Sequence, residues 1–248
     1  MMPAGIGRFR LVRGIFVRDA ALGSRGRLAL LALFVVALIV LMPLRLVLGM
    51  VAPENVTARS VEGSVWQGRI ADLAVGPLPL GTVSAGLDPL PLLLGRAQFS
   101  VAREGFSVRV AAGGGVRVSQ ATGSIVLPDG LGELPVASLG FGDFSMTMID
   151  GKCREADGTM MLELASPGAL LPGPITLSGK ARCDKGALLV PMQGPQGMER
   201  LTLRIAGDGR WQADLALAGL PQETADALVA GGFDARPGGV GFGTSGSF

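Results

Sequence analysis

The chain has 248 residues and a mass of 25.4 kDa, enough for one large domain or two small ones. Gly supplies 39 residues and Pro 16, yet 48% of the chain is hydrophobic; that excludes a disordered chain, and the lack of a Gly-X-Y period excludes collagen. The formal net charge of +2 divides into a basic first fifth and a mildly acidic remainder, which excludes a nucleic-acid-binding domain, whose positive charge sits on its folded part.

Arg8, Arg10, Arg13, Arg18, Arg25 and Arg27 precede residue 28, with Asp19 the one acid among them. Residues 28–42 then read LALLALFVVALIVLM without a charge, and Leu44 extends the run past Pro43. As a single helix, 28–51 would rise about 36 Å, enough to cross a bilayer. Arg45 would be close enough to the far end to snorkel toward headgroups. An arginine cluster ahead of such a run stays in the cytoplasm. The reading is a cytoplasmic basic segment over 1–27, a transmembrane helix over 28–51, and everything from 52 onward outside the cytoplasm. A cleaved signal peptide is the rival. It lacks an A-x-A site after the run, and Met50-Val51-Ala52 meets Pro53 at once.

After Pro53 the apolar period falls to two, as in 106–110 (FSVRV), 116–118 (VRV) and 201–205 (LTLRI), the mark of half-buried antiparallel strands. Turn signals separate the segments: Gly113-Gly114-Gly115, Pro128-Asp129-Gly130, Asp150-Gly151, Asp157-Gly158, Pro172-Gly173-Pro174 and Gly207-Asp208-Gly209. A loose signature of Gly followed by an apolar strand recurs at Gly63, Gly123, Gly158 and Gly207. Pro221 opens a helix over 222–230, and a short helical turn is expected over 89–94. The fold class is therefore mainly β: one N-terminal transmembrane helix, then a long curved antiparallel sheet of hairpin repeats over 52–237, with one or two short helices. For 238–248, Gly and Ser content favours a flexible tail. The alternation of Val240, Phe242 and Thr244 favours a final strand.

The chain contains neither His nor Tyr, so a Ser-His-Asp triad, a Cys-His dyad and a His-ligated zinc are impossible within it. Lys occurs only at 152, 180 and 185. No enzyme is expected, and no catalytic residue, metal or cofactor is assigned. Ser178 and Lys180, at i and i+2, read as solvent-facing polar residues. Gly241-Phe242-Gly243-Thr244-Ser245-Gly246 matches G-x-G-x-x-G, but no helix can follow it to meet a phosphate. Outside the cytoplasm Cys153 and Cys183 are expected to form a disulfide closing a loop of about 30 residues, contributing about 3 kcal/mol; partner pairing and free thiols are the alternatives. Trp66 and Trp211 read as sheet packing ahead of ligand stacking. Met146, Met148, Met160 and Met161 read as core ahead of an adaptable apolar surface.

Gly63, Val65, Trp66 and Gly68 form a G-x-V-W-x-G element, followed by Leu80-Gly81 and then by Pro89 with Leu92, Leu93 and Leu94. Together with the basic start and apolar run, this block resembles the type II secretion system protein N family. Ala85 stands where the family has a second Trp. The two Cys and the Gly209-Arg210-Trp211 strand also fit. The resemblance implies a non-enzymatic, bitopic component of the inner membrane, with its C-terminal domain in the periplasm and other subunits of the secretion machinery as partners. The alternative is a β-groove protein that binds or transfers lipid or another apolar ligand. Gly63, Val65, Trp66, Gly68 and Trp211 are the expected structural or partner-contact residues, with Trp66 a buried anchor at the start of the sheet and Val65 facing away from it.

Overall fold

The structure, a computed structural model, describes residues 24–51, 56–76, 78–128, 130–165 and 173–247. Arg8, Arg10, Arg13 and Arg18 of the basic segment lie outside them. The chain divides into two units, 1–39 and 40–248.

Helix α1 (Ser24–Val40) runs through the apolar stretch. Its side chains are apolar on every side and exposed on every side, from Leu28 at 65% through Phe34 at 58% to Val40 at 53%. The helix does not continue to residue 51. Pro43 lacks an N–H and disfavours helical backbone in the residue before it, and the chain resumes as a separate helix α2 (Leu44–Val51). Leu44 is 1% exposed and packs with Ile70, Leu73, Val83 and Ala85. The expected single span is thus corrected to two helices, the second of which packs on the sheet. Among the described residues no helix is long and apolar enough to cross a membrane.

The second unit is built on one antiparallel sheet of sixteen strands among the described residues. In chain order they are β1 (Val56–Thr57), β2 (Ser60–Gly63), β3 (Gly68–Val75), β4 (Leu78–Leu87), β5 (Ala97–Arg103), β6 (Phe106–Ala112), β7 (Val116–Val126) and β8 (Val136–Ile149). There follow β9 (Lys152–Leu164), β10 (Ile175–Lys180), β11 (Arg182–Asp184), β12 (Ala187–Gln193), β13 (Glu199–Ile205), β14 (Arg210–Ala218), β15 (Asp234–Arg236) and β16 (Gly239–Ser247). Two short helices interrupt them, α3 (Pro89–Leu93) and α4 (Gln222–Ala230). From β3 to β14 the strands pair almost entirely in sequence order. β1 and β2 lie end to end along β3, and β10 and β11 along β12. At the far edge β16 inserts between β14 and β15. The up-and-down order gives the sheet two ends. One carries α3 and the turns before β3, β7, β9, β12 and β14; the other carries α4.

The turn chemistry follows the sequence at several points. Asp150 (φ 51) and Gly151 (φ 66) form a two-residue loop with both residues left-handed, which suits the twist of the β8–β9 hairpin. Asp157-Gly158 departs from expectation, since it lies inside β9. There the register with β8 slips between Gly142 and Ser145, Asp143 has φ 49, and a Cβ at Gly158 would come 2.5 Å from Phe144 Cα. This is a bulge. Asp72 and Gln120, with φ of 49 and 52, mark further register shifts in β3 and β7, and each shift adds local twist and bends the sheet. Of the Pro172-Gly173-Pro174 signal, Pro172 lies outside the described residues.

Curling brings the apolar face of the sheet onto itself. Along β14, buried Trp211, Ala213, Leu215 and Leu217 alternate with exposed Arg210, Gln212 and Asp214, the period-two pattern of a strand with one wet face. Rows such as Leu139, Leu162, Leu177 and Met192, Leu201, Leu215 run across paired strands. The loop 127–135 adds Leu127, Leu131 and Leu134 to the same core, and α4 adds Leu228. Gly132 of that loop lies so close to Trp211 that a Cβ would stand 2.8 Å from Cη2. Met146, Met148 and Met160 belong to this core, and Met161 faces out.

The segment 238–248 resolves as a strand through residue 247, with Phe248 outside the described residues. Arg236 of β15 crosses over Gly241 of β16 and donates Nη1 to Asp214 Oδ1 and Nη2 to Oδ2, each at 2.8 Å. A side chain at 241 would collide with that guanidinium. Trp211 lies opposite Gly246 and covers it. The G-x-G-x-x-G match is therefore strand packing. Cys153 and Cys183 form a disulfide with Cα atoms 5.5 Å apart, joining β9 to β11.

Replacing both cysteines with Ser is expected to lower the unfolding free energy by about 3 to 4 kcal/mol, from the loop entropy released. Equal denaturation midpoints for the variant and the parent chain would contradict this. The hydrogen bonds from Arg236 hold the Asp214 carboxyl below its usual range. The stabilisation is then present above the unfolded value, about 3.9, and is lost as pH falls through the lower folded one. Since this side chain is 55% exposed, the effect should be under about 1 kcal/mol. Asp214→Asn should lower stability at pH 7 and remove this part of the acid dependence, as read from denaturation midpoints across pH 2 to 7 (approximate range).

Candidate functional site

The Trp66 motif forms the β2–β3 turn. Gly63 and Gly68 face each other as the last pair of that hairpin, and Gly63 takes φ 88. A Cβ on Gly63 would stand 2.5 Å from Gln67 O; only a residue lacking one fits. Within the turn, Ser64 N donates to Gln67 O at 3.2 Å and Gln67 N to Ser64 Oγ at 3.3 Å.

Val65 is the tied-down residue of the turn, at 3% exposure. Its N–H donates to Met42 O at 2.8 Å, and its carbonyl accepts from Leu87 N at 2.8 Å. Pro43 and Ser64 add an isolated antiparallel bridge. The turn thus clasps the α1–α2 corner on one side and the end of β4 on the other. Leu44 then enters the small core directly over Gly68, where any Cβ would collide with it.

Trp66 is half-buried rather than buried, and sits in the turn rather than on a strand. The anchoring place expected for Trp66 is taken by Val65 together with Leu44, and the expected strand alternation of Val65 and Trp66 does not apply. Trp66 borders a groove of about 720 Å³ together with Gln67, Arg69, Ser84, Gly86 and Ser100. A Cβ at Gly86 would collide with the Trp66 carbonyl. Trp211 belongs to the large core instead, at 3% exposure, so the two Trp residues serve separate places. Met42 and Gly86 carried no sequence signal for this site. The one available hint was Pro43, which breaks the helix where the corner must form.

Ser178 and Lys180 both face solvent on β10. Among the described residues no group of three or more His, Cys, Asp or Glu could hold a metal ion. The perturbed acids lie elsewhere in structural pairs. Hydrogen bonding from Arg204 lowers Asp184, and hydrogen bonding from the Arg210 backbone and side chain lowers Asp208.

A family model described as type II secretion system (T2SS), protein N, matches residues 54–242. The chain belongs to the type II secretion system protein N family. No curated protein and no solved structure matches it. The family match spans β1 to Phe242 of β16, and so includes the Trp66 turn, the disulfide and Trp211. Membership makes the chain a component of the type II secretion machinery of the bacterial envelope, a machinery of interacting components. Ala85 is buried opposite Gly68 in the cluster that holds Leu44.

Leu44→Ala should cost about 2 to 5 kcal/mol as a cavity in a dry site. Trp66→Ala should cost less, because its ring is partly solvated already. A larger loss at Trp66 than at Leu44, measured by chemical denaturation, would restore Trp66 as the anchor.

Proposed function

We propose that this chain is a non-enzymatic subunit held in the bacterial inner membrane by α1, with its N-terminus in the cytoplasm and its sheet in the periplasm for contacts with other secretion subunits. The observation that carries the reading is α1, apolar and exposed on every side. A helix apolar all round requires an apolar surround, a protein core or a lipid one. The apolar part of α1, 28–40, rises about 20 Å against a hydrocarbon layer of about 30 Å; bilayer thinning and snorkelling of Arg27 would absorb the mismatch. The arginines before it support the orientation.

Partner contacts fit the sheet edge and the Trp66 groove. β15 pairs only with residues 239–241 of β16, which leaves the outer edge of residues 242–247 without a strand partner among the described residues. Such an edge suits strand addition. The lipid-carrier alternative narrows, since the apolar face is packed with side chains along most of its length. It rests on a cavity of about 320 Å³ between Leu134, Leu164, Ile175, Leu215, Phe233 and Phe242.

A reporter active only outside the cytoplasm should be active when fused after Phe248 and inactive when fused near Arg18. The reverse pattern would overturn the orientation, and activity at neither site would overturn membrane anchoring by α1. Stoichiometric phospholipid extracted from the purified chain, with no secretion subunit co-purifying from mild detergent, would favour the carrier reading.

A further inference from the structure

We propose that the α3 end of the sheet lies against an anionic phospholipid bilayer, with Leu90, Leu92 and Leu94 set among the acyl chains and Arg96, Arg117, Lys152 and Lys185 on the headgroups. The inference rests on membrane anchoring by α1 and adds a second, interfacial contact.

The first observation is the leucines. Leu90 is 75% exposed, Leu92 38% and Leu94 78%, although the turn that carries them is firmly held. The Asp88 amide donates to Gln98 O at 2.8 Å, Gln98 Nε2 donates to Asp88 Oδ2 at 2.8 Å, and Arg96 N donates to Pro91 O at 3.0 Å. A rigid turn presenting three large apolar side chains to solvent marks a surface that another apolar phase covers. Val116, 48% exposed, lies at the same end.

Charge favours a bilayer as that phase. Arg96 and Arg117 line one concavity of about 330 Å³ with Gly95 and the Gly113-Gly114-Gly115 turn. Lys152 and Lys185 stand at the neighbouring β8–β9 and β11–β12 turns. Among the described residues none of these four cations is in an ion pair. Of the acids at or beside the turns of this end, Asp184 and Asp208 are paired with Arg204 and Arg210, Asp88 is hydrogen-bonded by Gln98, Glu62 stands across the β2–β3 pair from Arg69, and Asp150 remains. The α4 end is the opposite: Glu104, Glu223, Asp226 and Asp234 stand there against Arg103, Arg200 and the paired Arg236. Cations beside an apolar patch match an anionic membrane surface, and each contributes to holding the face there.

Position agrees with charge. The clasp of Met42 by Val65 lies at this end, so the second unit's chain enters the sheet where the leucines and cations are. Acids at the opposite end would be repelled from the same surface.

The test uses the full chain in vesicles of phosphatidylethanolamine and phosphatidylglycerol carrying brominated acyl chains. Leu94→Cys and, as a control at the opposite end, exposed Val126→Cys are each labelled with an environment-sensitive fluorophore; the native disulfide does not react. The expected result is a blue shift and strong bromine quenching at 94, neither at 126, and loss of about half or more of the quenching when Arg96 and Arg117 are both changed to Glu. Flotation of the protein with vesicles but an unquenched probe at 94 would overturn this inference alone, and would point to a protein partner for the leucines. Failure to float would overturn membrane anchoring by α1 and this inference with it. Equal quenching at 94 and 126 would also overturn it, since contact would then not be confined to the α3 end.

Discussion

A sheet with one apolar face must bury that face, and here no second layer is large enough to do so. The sheet therefore curls until the face meets itself, and the rest of the molecule follows from how the curl is made. Register shifts at Asp72, Gln120 and Asp143 supply the bends. Glycines sit where strands press closest: Gly158 against Phe144, and Gly207 against the Gly151 carbonyl, where the β8–β9 and β13–β14 turns touch. Loop 127–135 fills the interior with Leu127, Leu131 and Leu134, and Trp211 closes it against Gly132 and Gly246.

The first strands lie in a smaller core and need a different solution. Leu44 fills the space over Gly68, and Val65 holds the corner that delivers Leu44 through two backbone hydrogen bonds of 2.8 Å. Each backbone bond contributes modestly, about 1 kcal/mol, but together they set where the chain joins the sheet. The corner, the Trp66 groove and the leucines of α3 share one end of the second unit. The turn from Gly63 to Gly68 thus has a physical role in this chain: through Val65 it is a clasp.

Much of this was legible where a local rule acts alone. Pro221 opened α4 at the expected residue, the Leu-Pro turn at 89–94 is α3, and Asp150-Gly151 is a hairpin turn because both residues tolerate left-handed backbone. Legibility failed where the deciding contact is distant in sequence. Asp157-Gly158 allows a turn or a bulge equally, and only the register with β8 selects the bulge. Pro43 within an apolar run reads as one membrane helix until Leu44 finds its pocket. The last strand was undecided because its partners, Trp211 over Gly246 and Arg236 across Gly241, lie on other strands. The Met42–Val65–Leu87 clasp is made by backbone atoms, which leave no residue pattern to read.

Amide hydrogen exchange at residue resolution on the full-length chain tests the clasp most directly. The Val65 and Leu87 amides should exchange as slowly as those of the β3–β4 ladder, such as Ile70, because all three are hydrogen-bonded within one cooperative unit. Exchange of Val65 at the rate of an open surface loop, with Ile70 still protected, would contradict the account.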